Sequence, residues 1–520
     1  MITAEILAAV KNYTANLNNN VKLVLQLGSH SKRPELLDFL QQIISVSNKL
    51  SLEQRDEPVV LRSPISFYLE VDGKASGIIF SGIPSGHEFN SLILAIIQAG
   101  GAELKLDNSV KSIVAAVQEP LHFETFVSLS CHNCPDVVQT LNQFALLNSN
   151  ISSEMIDGGL YPQLITDRDI QGVPSVYVNG KLFANGKVDA AQLLDKLLQR
   201  SPQLAENNSV SELPRQDVTI IGGGPAGVAA AIYAARKGLA VTIVADRIGG
   251  QVKDTMAIEN LISVPKTSGT ELTSALQQHM SDYDITLKEH VRVTRVIDDN
   301  EVKSIQLSTG ELIETKTLIV ATGARWRELG IPGEKDNIGK GVAYCPHCDG
   351  PFFKGKDVAV IGGGNSGVEA ALDLAGIVRS VKLFEFLPEL KADQVLVNKA
   401  QAAENIDIFT NAATTSIAAT NDKVSAIHWQ DRNTEVEHSE ALSGVFVQIG
   451  LLPNSQFISD IVATSPQGEI VIDEKCQTSV RGIFACGDVS TVPYKQIVIS
   501  MGEGAKAALS AFEYLLTQSD

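Results

Sequence analysis

Two pairs of closely spaced cysteines, Cys131 with Cys134 and Cys345 with Cys348, are the residues of this sequence best suited to chemistry. Six cysteines scattered at random over 520 residues would form only about 0.06 Cys-x-x-Cys pairs, and the chain has two. Thiols at this spacing can cycle between dithiol and disulfide. A zinc site needs four ligands, and the two pairs lie too far apart in the chain to match compact zinc-binding spacing. We therefore expect redox chemistry and no bound metal.

The composition limits the cellular compartment and the partners that are compatible with this chemistry. A length of 520 residues predicts about three or four domains. The formal net charge of -18 argues against nucleic acid as a partner, because phosphates require a basic surface. The N-terminal stretch has no signal-peptide pattern, and no apolar run reaches the length of a membrane-spanning helix. Redox pairs without a wider disulfide framework favour a reducing compartment, so we expect a cytoplasmic protein.

The N-terminal part of the chain contains a repeated unit. Residues 21–27 and 123–129 are predicted to be strands, each followed by a turn and an amphipathic helix. Ser29 and Lys32 occupy the positions that hold the cysteine pair in the second unit. Both units continue with a proline-led strand and a hairpin turn that ends in Gly-Lys. The second unit, residues 117–199, resembles the thioredoxin and glutaredoxin fold.

That resemblance implies roles for the first cysteine pair. Cys131 would be the exposed attacking thiol, with its pKa lowered by the helix N-terminus, and Cys134 would resolve the mixed disulfide. Pro174 would be the cis proline that frames the site. The first unit lacks both thiols, so it is an inert scaffold or a surface that positions a partner, and the scaffold is favoured. Glu88 either accepts a proton from the pair or is a solvated helix carboxylate, and the sequence favours the solvated carboxylate.

A dinucleotide-binding fingerprint follows a polar segment, residues 201–216, that is predicted to be a mobile linker. The strand at 218–221 leads into a glycine-rich turn that opens a helix, and the next strand ends at Asp246. The glycines let backbone N–H groups and the helix dipole approach a pyrophosphate, and Asp246 would accept a hydrogen bond from the adenosine ribose. The expected contacts are Gly222, Gly224, Pro225, Ala226, Gly227 and Asp246.

A second fingerprint begins at the strand 358–361, and two such sites imply two dinucleotides. The strand after it ends near Glu385. A carboxylate there binds the free 2'-hydroxyl of NAD and repels the 2'-phosphate of NADP, and the next five residues contain no arginine. The sequence therefore favours NADH, with a solvated strand-end charge as the alternative reading of Glu385. The expected contacts are Gly362, Gly364, Asn365, Ser366, Gly367 and Glu385.

Two further strand ends resemble the flavoprotein disulfide reductases that have two dinucleotide domains. One strand ends in Thr322-Gly323, which marks the FAD domain in that family. A late strand ends in Gly487-Asp488, which contacts the flavin ribityl chain in the family. The resemblance implies that the first fingerprint holds FAD and the second holds NADH. The FAD domain would then be split by the inserted NADH domain.

The second cysteine pair lies inside the nicotinamide domain, just ahead of its fingerprint, and this placement resembles the low-molecular-weight thioredoxin reductases. Segments near the flavin match those enzymes too, and their implied contacts are Gly250, Gln251, Asn260, Lys495, Gln496 and Ile497. With the duplicated thioredoxin-like module in front, the whole chain resembles the F subunits of bacterial alkyl hydroperoxide reductases.

The family resemblance implies an electron relay. Hydride passes from NADH to FAD, the reduced flavin reduces the Cys345–Cys348 disulfide, and that dithiol reduces Cys131–Cys134. The N-terminal dithiol then reduces a peroxiredoxin that consumes hydrogen peroxide and alkyl hydroperoxides. Cys348 faces the flavin, Cys345 attacks outward, and Asp349 donates or accepts the proton. The nicotinamide domain must rotate during turnover, and the family also implies a homodimer.

Other interpretations of the same motifs remain open. The chain could be a reductase of a free thioredoxin-like partner, an NADH oxidase that forms hydrogen peroxide, or a redox-sensing interaction protein. His132 and His347 either tune thiol pKa values or act as spacers. Cys476 and Cys486 are expected to be buried small residues.

The expected fold class is α/β, with a duplicated thioredoxin-like domain followed by two Rossmann-like domains. The predicted divisions are 1–116 and 117–200 for the thioredoxin-like halves, 201–216 for the linker, 217–330 and 450–520 for the FAD domain, and 331–449 for the NADH domain.

Overall fold

The computed structural model describes residues 2–56, 61–131, 133–170, 172–186, 188–206, 213–255, 258–299, 301–421 and 423–518, without the side chains of residues 347 and 348. The α-helices are α1 (Ala4–Tyr13), α2 (Arg33–Ile44), α3 (Glu88–Ala99), α4 (Asn108–Ala115), α5 (Cys134–Leu147), α6 (Pro162–Asp167), α7 (Ala190–Arg200), α8 (Gln203–Glu206), α9 (Pro225–Ala235), α10 (Gly269–Met280), α11 (Pro346–Asp349), α12 (Asn365–Ala375), α13 (Gln394–Ala402) and α14 (Ile497–Leu516).

The strands of the N-terminal module are β1 (Val21–Gln26), β2 (Leu50–Arg55), β3 (Ser66–Val71), β4 (Lys74–Ser81), β5 (Leu121–Val127), β6 (Ile151–Asp157), β7 (Ser175–Val178) and β8 (Lys181–Asn185). The later strands are β9 (Gln216–Ile221), β10 (Val241–Ala245), β11 (Ile285–Glu289), β12 (Val293–Asp299), β13 (Val302–Leu307), β14 (Leu312–Val320), β15 (Ala324–Trp326), β16 (Val342–Ala343), β17 (Asp357–Ile361), β18 (Ser380–Phe384), β19 (Ile406–Phe409), β20 (Ala412–Thr420), β21 (Lys423–Asp431), β22 (Glu437–Ala441), β23 (Gly444–Val447), β24 (Leu451–Pro453) and β25 (Ile483–Ala485).

Strands β1 to β8 form one continuous sheet in the order β2-β1-β3-β4-β6-β5-β7-β8. In the first half, β1 runs parallel to β2 and antiparallel to β3, and β3 pairs with β4 as a hairpin. In the second half, β5 pairs with β6 and β7, and β7 with β8, in the same pattern. The halves join where β4 and β6 run parallel. This repeated pairing confirms the predicted duplication.

A buried ion network on one face of this sheet also links the two halves. Glu124 and Glu154 lie on neighbouring strands and are almost fully buried. Arg62 of the first half donates hydrogen bonds to them at 2.6 and 2.7 Å, and Arg168 lies 2.8 Å from Glu124. Because a buried carboxylate is costly without a partner, both arginines are needed here. They also neutralise the two carboxylates beside His122, a group whose spacing would otherwise suit a metal ion.

The sheet of the first dinucleotide domain has the order β11-β10-β9-β14-β13-β12, and β25 pairs in parallel with β14. Strands β9, β10 and β11 are parallel neighbours, as expected for a fold in which helices connect parallel strands. Strand β25 completes this sheet although a second domain separates it from β14 in the sequence. The predicted split of the domain is therefore the arrangement that the sheet adopts.

The inserted domain has its own parallel sheet in the order β16-β23-β17-β18-β19, with a three-stranded antiparallel sheet, β20-β21-β22, beside it. Strands β15 and β24 pair with each other as a two-stranded ribbon, with Ala324 opposite Pro453 and Trp326 opposite Leu451. The chain enters and leaves the inserted domain through this ribbon. The α/β fold class predicted from the sequence is confirmed.

The segment predicted to be an irregular linker is partly helical. Residues 203–206 form helix α8, and the Leu204 side chain in it is buried. The helix packs against the turn between β13 and β14, where a Cβ atom added to Gly310 would lie 2.6 Å from the Ala205 carbonyl oxygen. The prediction was wrong for these residues because the apolar contact comes from a distant part of the chain. Residues 207–212 lie outside the described residues.

Within the described part of the chain, every helix is too short or too polar to cross a bilayer.

Helix α14 crosses α9 closely at Gly504, and a second glycine on the same helix provides a control for testing this contact. A Cβ atom on Gly504 would lie 2.0 Å from the Ala226 carbonyl oxygen, whereas one on Gly502 would contact nothing within 4 Å. We expect Gly504→Ala to lower the free energy of unfolding by about 2 kcal/mol, because the helices must separate. Gly502→Ala should raise it by about 0.5–1 kcal/mol. Urea unfolding followed by circular dichroism measures both, and a similar effect of the two changes would contradict the close crossing.

Candidate active site

The first cysteine pair lies at the N-terminus of α5, as predicted. Cys134 opens the helix and is fully buried, whereas Cys131 precedes the helix and is partly exposed. The Cys131 Sγ lies 3.8 Å from the Val173 carbonyl oxygen, to which it donates when it is protonated. The peptide bond between Val173 and Pro174 is cis, which confirms the predicted geometry of this proline. One thiol is therefore available to a partner and the other is enclosed.

The two thiols differ in acidity because of their surroundings. The side-chain hydrogen bond from Cys134, helped by the backbone N–H groups of Asn133 and Cys134, lowers the pKa of Cys131 to about 6 although partial burial opposes this. The same hydrogen bond and burial raise the pKa of Cys134 far above that of an ordinary thiol. At neutral pH the attacking sulfur is thus a thiolate and the resolving sulfur keeps its proton.

Glu88 corrects an expectation drawn from the sequence. It opens helix α3 and was expected to be a solvated carboxylate, but it is completely buried. Neither carboxylate oxygen has a hydrogen-bond partner within the described residues. Burial raises the pKa of Glu88 to about 7; the nearby Ser91 side chain opposes this effect, and the charges of Cys131 and Asp136 add to it. Packing of the second half onto α3 removes this carboxylate from water, so the interpretation as a solvated carboxylate is wrong, and the role as a proton acceptor for the pair stays a prediction.

The corresponding region of the first half is closed by an arginine. Ser29 is exposed, and Arg33, which opens α2, donates hydrogen bonds to the carbonyl oxygen of Pro64 at 2.5 Å and to that of Gln26. Pro64 is the first-half counterpart of Pro174 by the sequence repeat. The guanidinium thus binds a carbonyl at the proline-led turn that the cysteine thiol faces in the second half. This contact favours the scaffold interpretation of the first half.

The first fingerprint has the packing that a pyrophosphate site requires. A Cβ atom on Gly222 would lie 2.2 Å from the Ala321 carbonyl oxygen, and one on Gly227 would lie 1.8 Å from the Gly222 carbonyl oxygen. Gly224 has no atom within 4 Å of the corresponding position. Pro225 and Ala226 follow it as the first residues of α9. The loop is therefore closed on the protein side and open in front of the helix N-terminus, where a pyrophosphate would lie.

The predicted flavin-side residues surround this loop from three segments. The Gly249 N–H donates to the Gly223 carbonyl oxygen at 2.8 Å, and Gly250 approaches Gly224. Gln251 then donates to the Ala324 carbonyl oxygen in the ribbon.

The second segment contains Asn260, and the third is the start of the last helix. The Asn260 side chain donates to Gln496 at 3.1 Å, and Gln496 immediately precedes Ile497, the first residue of α14. Lys495 is held by the Ser490 carbonyl oxygen at 2.5 Å and by Glu469 at 2.8 Å.

Two strand ends close the same region. Thr322 donates to the Asn454 carbonyl oxygen at 2.7 Å, and the Asn454 N–H donates to the Gly323 carbonyl oxygen at 3.0 Å. Gly487 begins the 3-10 turn after β25, and burial raises the pKa of Asp488 in that turn. The loop, the open helix N-terminus and these converging segments fit FAD.

The second fingerprint repeats the first. A Cβ atom on Gly362 would lie 2.3 Å from the Gln448 carbonyl oxygen, one on Gly367 would lie 1.8 Å from the Gly362 carbonyl oxygen, and Gly364 is open. Asn365 and Ser366 then open α12. These features fit a nicotinamide dinucleotide.

Glu385 is not the solvated charge that was one reading of the sequence. It is buried, and its two carboxylate oxygens accept hydrogen bonds from the N–H groups of Gly363 at 2.5 Å and Leu387 at 2.7 Å. The carboxylate is thus fixed against the glycine-rich loop. It lies at the strand end where the fingerprint places the ribose contact.

The second cysteine pair lies at the start of α11. Cys345 is disulfide-bonded, and its carbonyl oxygen accepts from the Asp349 N–H at 3.0 Å. Burial raises the pKa of Asp349 to about 6, which suits proton exchange near neutral pH. The side chains of His347 and Cys348, and the whole of His132, lie outside the described residues, so their predicted roles stay predictions.

The disulfide loop and the second glycine-rich loop share one edge of a sheet. Strands β16, β23 and β17 are parallel neighbours, so their carboxyl ends meet at the same edge. Cys345 follows β16 and Gly362 follows β17. Gln448, at the end of the strand between them, donates to the Tyr344 carbonyl oxygen at 2.8 Å while its own carbonyl lies against Gly362. The inserted domain therefore presents both groups from one side.

The remaining cysteines are core residues, as expected. Cys476 and Cys486 are both fully buried, and Cys476 donates to Glu503 at 3.1 Å. Burial raises the pKa of both thiols.

The chain is similar to known proteins over its whole length. Residues 216–504 match the pyridine nucleotide-disulphide oxidoreductase family, and residues 121–199 match a thioredoxin domain family. The chain is 47% identical over 522 residues to the F subunit of alkyl hydroperoxide reductase in Pseudomonas putida, with 100% of this chain and 99% of that protein covered. It is 48% identical over 516 residues to the protein of the same name in Staphylococcus aureus, with 99% and 100% covered.

Solved structures with the same fold include two thioredoxin reductases. The enzyme from Streptococcus pyogenes is 34% identical with a TM-score of 0.56, and the alignment covers 58% of this chain and 99% of that one. The enzyme from Giardia duodenalis is 28% identical with a TM-score of 0.56, and the alignment covers 59% and 100%.

The acidity of Cys131 depends first on the hydrogen bond from Cys134. In a Cys345→Ser, Cys348→Ser background, we expect the rate of Cys131 alkylation by iodoacetamide to rise with pH around a midpoint near 6. Cys134→Ala should move the midpoint upward, towards the ordinary thiol pKa of 9.0, because the thiolate loses its donor. The buried Cys476→Ala is the control and should leave the midpoint unchanged. An unaltered midpoint in Cys134→Ala would show that the helix N-terminus alone sets the acidity.

Glu88 should make the stability of the protein fall as the pH rises. Its pKa is about 7 in the folded chain against an ordinary 4.5, so the folded state binds the proton more tightly and loses stability between those pH values. Glu88→Gln removes the ionisation, and we expect it to be more stable than wild type by about 3 kcal/mol at pH 8, with little difference at pH 4. Urea unfolding at several pH values measures this. Glu35→Gln is the control for the same replacement at an exposed position, in α2.

Proposed function

Because the chain belongs to the family of alkyl hydroperoxide reductase F subunits, within the pyridine nucleotide-disulphide oxidoreductases, we propose that it passes electrons from NADH to the disulfide of a peroxiredoxin. The enzyme is a flavin-dependent disulfide oxidoreductase that uses FAD and a nicotinamide dinucleotide. The observation that carries the proposal is the pair at the N-terminus of α5. Its exposed thiol is acidic and its buried thiol is not, as a dithiol that attacks a partner's disulfide requires.

The nicotinamide site is proposed to prefer NADH. When bound, FAD and NADH supply the hydride acceptor and donor and the electron pair that a disulfide can take up. Glu385 is held in place by two backbone N–H groups, so it can accept hydrogen bonds from a free ribose and cannot turn away from a 2'-phosphate. The nearby Arg432 lies 3.8 Å over the Phe386 ring and donates to the Phe386 carbonyl oxygen at 2.9 Å. That guanidinium is thereby engaged with the protein.

The inserted domain must take two orientations in this function. Cys345 and the loop at Gly362 share one sheet edge. The disulfide and a nicotinamide bound at that loop would therefore compete for the same position against one flavin, and they cannot both occupy it in a single pose. The ribbon of β15 and β24 is the connection about which the domain would rotate. Asp349, with a pKa of about 6, would take up or release the proton as the thiols at this edge change state.

The N-terminal dithiol completes the transfer by two exchanges. The Cys131 thiolate attacks one sulfur of the partner disulfide, forming a mixed disulfide and releasing the other partner sulfur as a thiolate. Cys134 then gives its proton to Glu88 and attacks the Cys131 Sγ. The second partner sulfur leaves as a thiolate, and the Cys131–Cys134 disulfide remains. The dithiol of Cys345 and Cys348 would reduce it again by the same exchange.

The proposal includes a cytoplasmic location and a homodimer. Catalytic disulfides that cycle suit a reducing compartment. Exposed apolar residues on the last helix, Val498, Leu509 and Leu516, offer a surface for a second copy.

The test is NADH consumption by FAD-loaded protein with a peroxiredoxin and a hydroperoxide. Cys131→Ser should lower the rate at least about 100-fold, because the attacking thiolate is lost. The matched control is Ser29→Ala, which alters the first-half counterpart of Cys131 and should leave the rate unchanged. With NADPH in place of NADH, kcat/KM should be lower by about tenfold or more.

The outcomes separate the alternatives. Full activity of Cys131→Ser with the peroxiredoxin would place the output at Cys345 or at the flavin, which would make the chain a thioredoxin-reductase-like enzyme or an oxidase. Stoichiometric thiol oxidation without turnover would indicate a redox sensor. Purified protein without a yellow flavin chromophore would contradict the proposal altogether.

A further inference from the structure

One arginine joins the predicted ribose ligand of the FAD domain to the N-terminal module. Arg292 lies in the loop between β11 and β12. Its Nε and Nη2 donate to the Asp246 Oδ2 at 3.0 and 2.7 Å. Its Nη1 lies 3.4 Å from the Oδ2 of Asp195 on α7. Two hydrogen bonds between its backbone and Ser308 hold the loop in place. A single guanidinium is thus shared by carboxylates of two domains.

The geometry leaves Asp246 ready for a second donor. Both of its bonds to Arg292 go to Oδ2, and no donor among the described residues bonds to Oδ1. Glu385 in the other fingerprint is anchored differently, since its oxygens hold the N–H groups of Gly363 and Leu387. Asp246 is one carbon shorter and has no backbone N–H donor of this kind among the described residues. Arg292 therefore replaces the backbone as the anchor of this carboxylate and leaves Oδ1 free for a ribose hydroxyl.

The surrounding charges make this arginine necessary to both domains. Burial alone would lower the pKa of Arg292, but Asp246, Asp189 and Asp195 reverse the effect and raise it. Asp189 caps α7, the helix that carries Asp195. Burial raises the pKa of Asp195, and repulsion by Asp246 adds to the effect. Without the guanidinium, the carboxylates of the N-terminal module would repel Asp246, and only Arg247, which is already paired with Asp254, would oppose this repulsion.

A second ion pair at the same boundary does not involve Asp246. Lys288, on β11, lies 2.6 Å from Glu311 and 3.4 Å from Asp107, the N-cap of α4 in the N-terminal module.

A cavity of about 440 Å³ lies beside the Arg292 contact and is lined by residues of both domains. The boundary there is not closely packed, so charge pairs contribute directly to holding the module.

We propose that Arg292 is a positioning residue with two partners, which orients Asp246 for the adenosine ribose of FAD and holds the N-terminal module through Asp195. Flavin binding and docking of the module then support each other, because each fixes the same side chain. This inference rests on the FAD site of the proposed function. It makes Asp195, a residue of the thioredoxin-like module, a contributor to flavin affinity.

The test is a titration of the full-length apoprotein with FAD, followed by quenching of flavin fluorescence. Asp195→Asn should weaken FAD binding about threefold, in keeping with a partly exposed ion pair, and Asp195→Glu should restore it. Arg292→Gln should weaken binding more, about tenfold, because Asp246 loses its anchor as well. The matched control is Asp107→Asn, which removes another carboxylate that crosses this boundary and should leave FAD affinity unchanged.

A second readout follows the N-terminal module itself. FAD should slow amide hydrogen exchange in helix α7 of the wild type, and this slowing should be lost in Asp195→Asn and kept in Asp107→Asn. Equal FAD affinity of Asp195→Asn and wild type would overturn the inference, as would equal losses in Asp195→Asn and Asp107→Asn. Failure of the wild type to bind FAD would instead contradict the proposed function.

Discussion

The disulfide loop at Cys345 and the glycine-rich loop at Gly362 leave the same edge of one parallel sheet, with Gln448 bonded between them. Parallel strands place their carboxyl ends together, so this proximity cannot be avoided in a domain that carries both groups. In the proposed function, the domain would turn to use the two groups in succession. The two-stranded ribbon at its base and the separate N-terminal dithiol, which carries electrons onward, both suit that requirement.

The duplicated N-terminal module shows how one framework supports two different sites. Both halves have the same strand pairings, yet the second has a thiol beside the carbonyl before its proline and the first has the Arg33 guanidinium at its proline-led turn. The reactive half also depends on the inactive one. Glu88, whose pKa of about 7 suits it to exchange protons with the cysteines, belongs to helix α3 of the first half. Duplication therefore places a buried carboxylate of one half where it interacts with the charge of Cys131 in the other half.

The two dinucleotide sites show the same principle at a finer scale. Their glycine loops have nearly the same close contacts, because a helix can begin that near a strand only without side chains. They differ at the carboxylate after the second strand. Glu385 reaches the loop's own backbone, whereas the shorter Asp246 is held by an arginine that also contacts the N-terminal module. One carboxylate is thus held by its own loop, whereas the other, one methylene group shorter, is held by a side chain that also contacts the neighbouring module.

Residue types and their spacing over short stretches were enough to predict the cysteine pairs, the two fingerprints and the duplication. The resemblance to known families added the order of domains and the cis geometry at Pro174. The burial of Glu88, the packing of residues 203–206 as a helix, the closure of the first-half site by Arg33 and the sharing of Arg292 became visible only in the folded chain. These features depend on which distant segments meet. Burial and charge pairing depend on these tertiary contacts. A carboxylate has the same covalent structure in water and in a protein interior, and only its neighbours change its pKa.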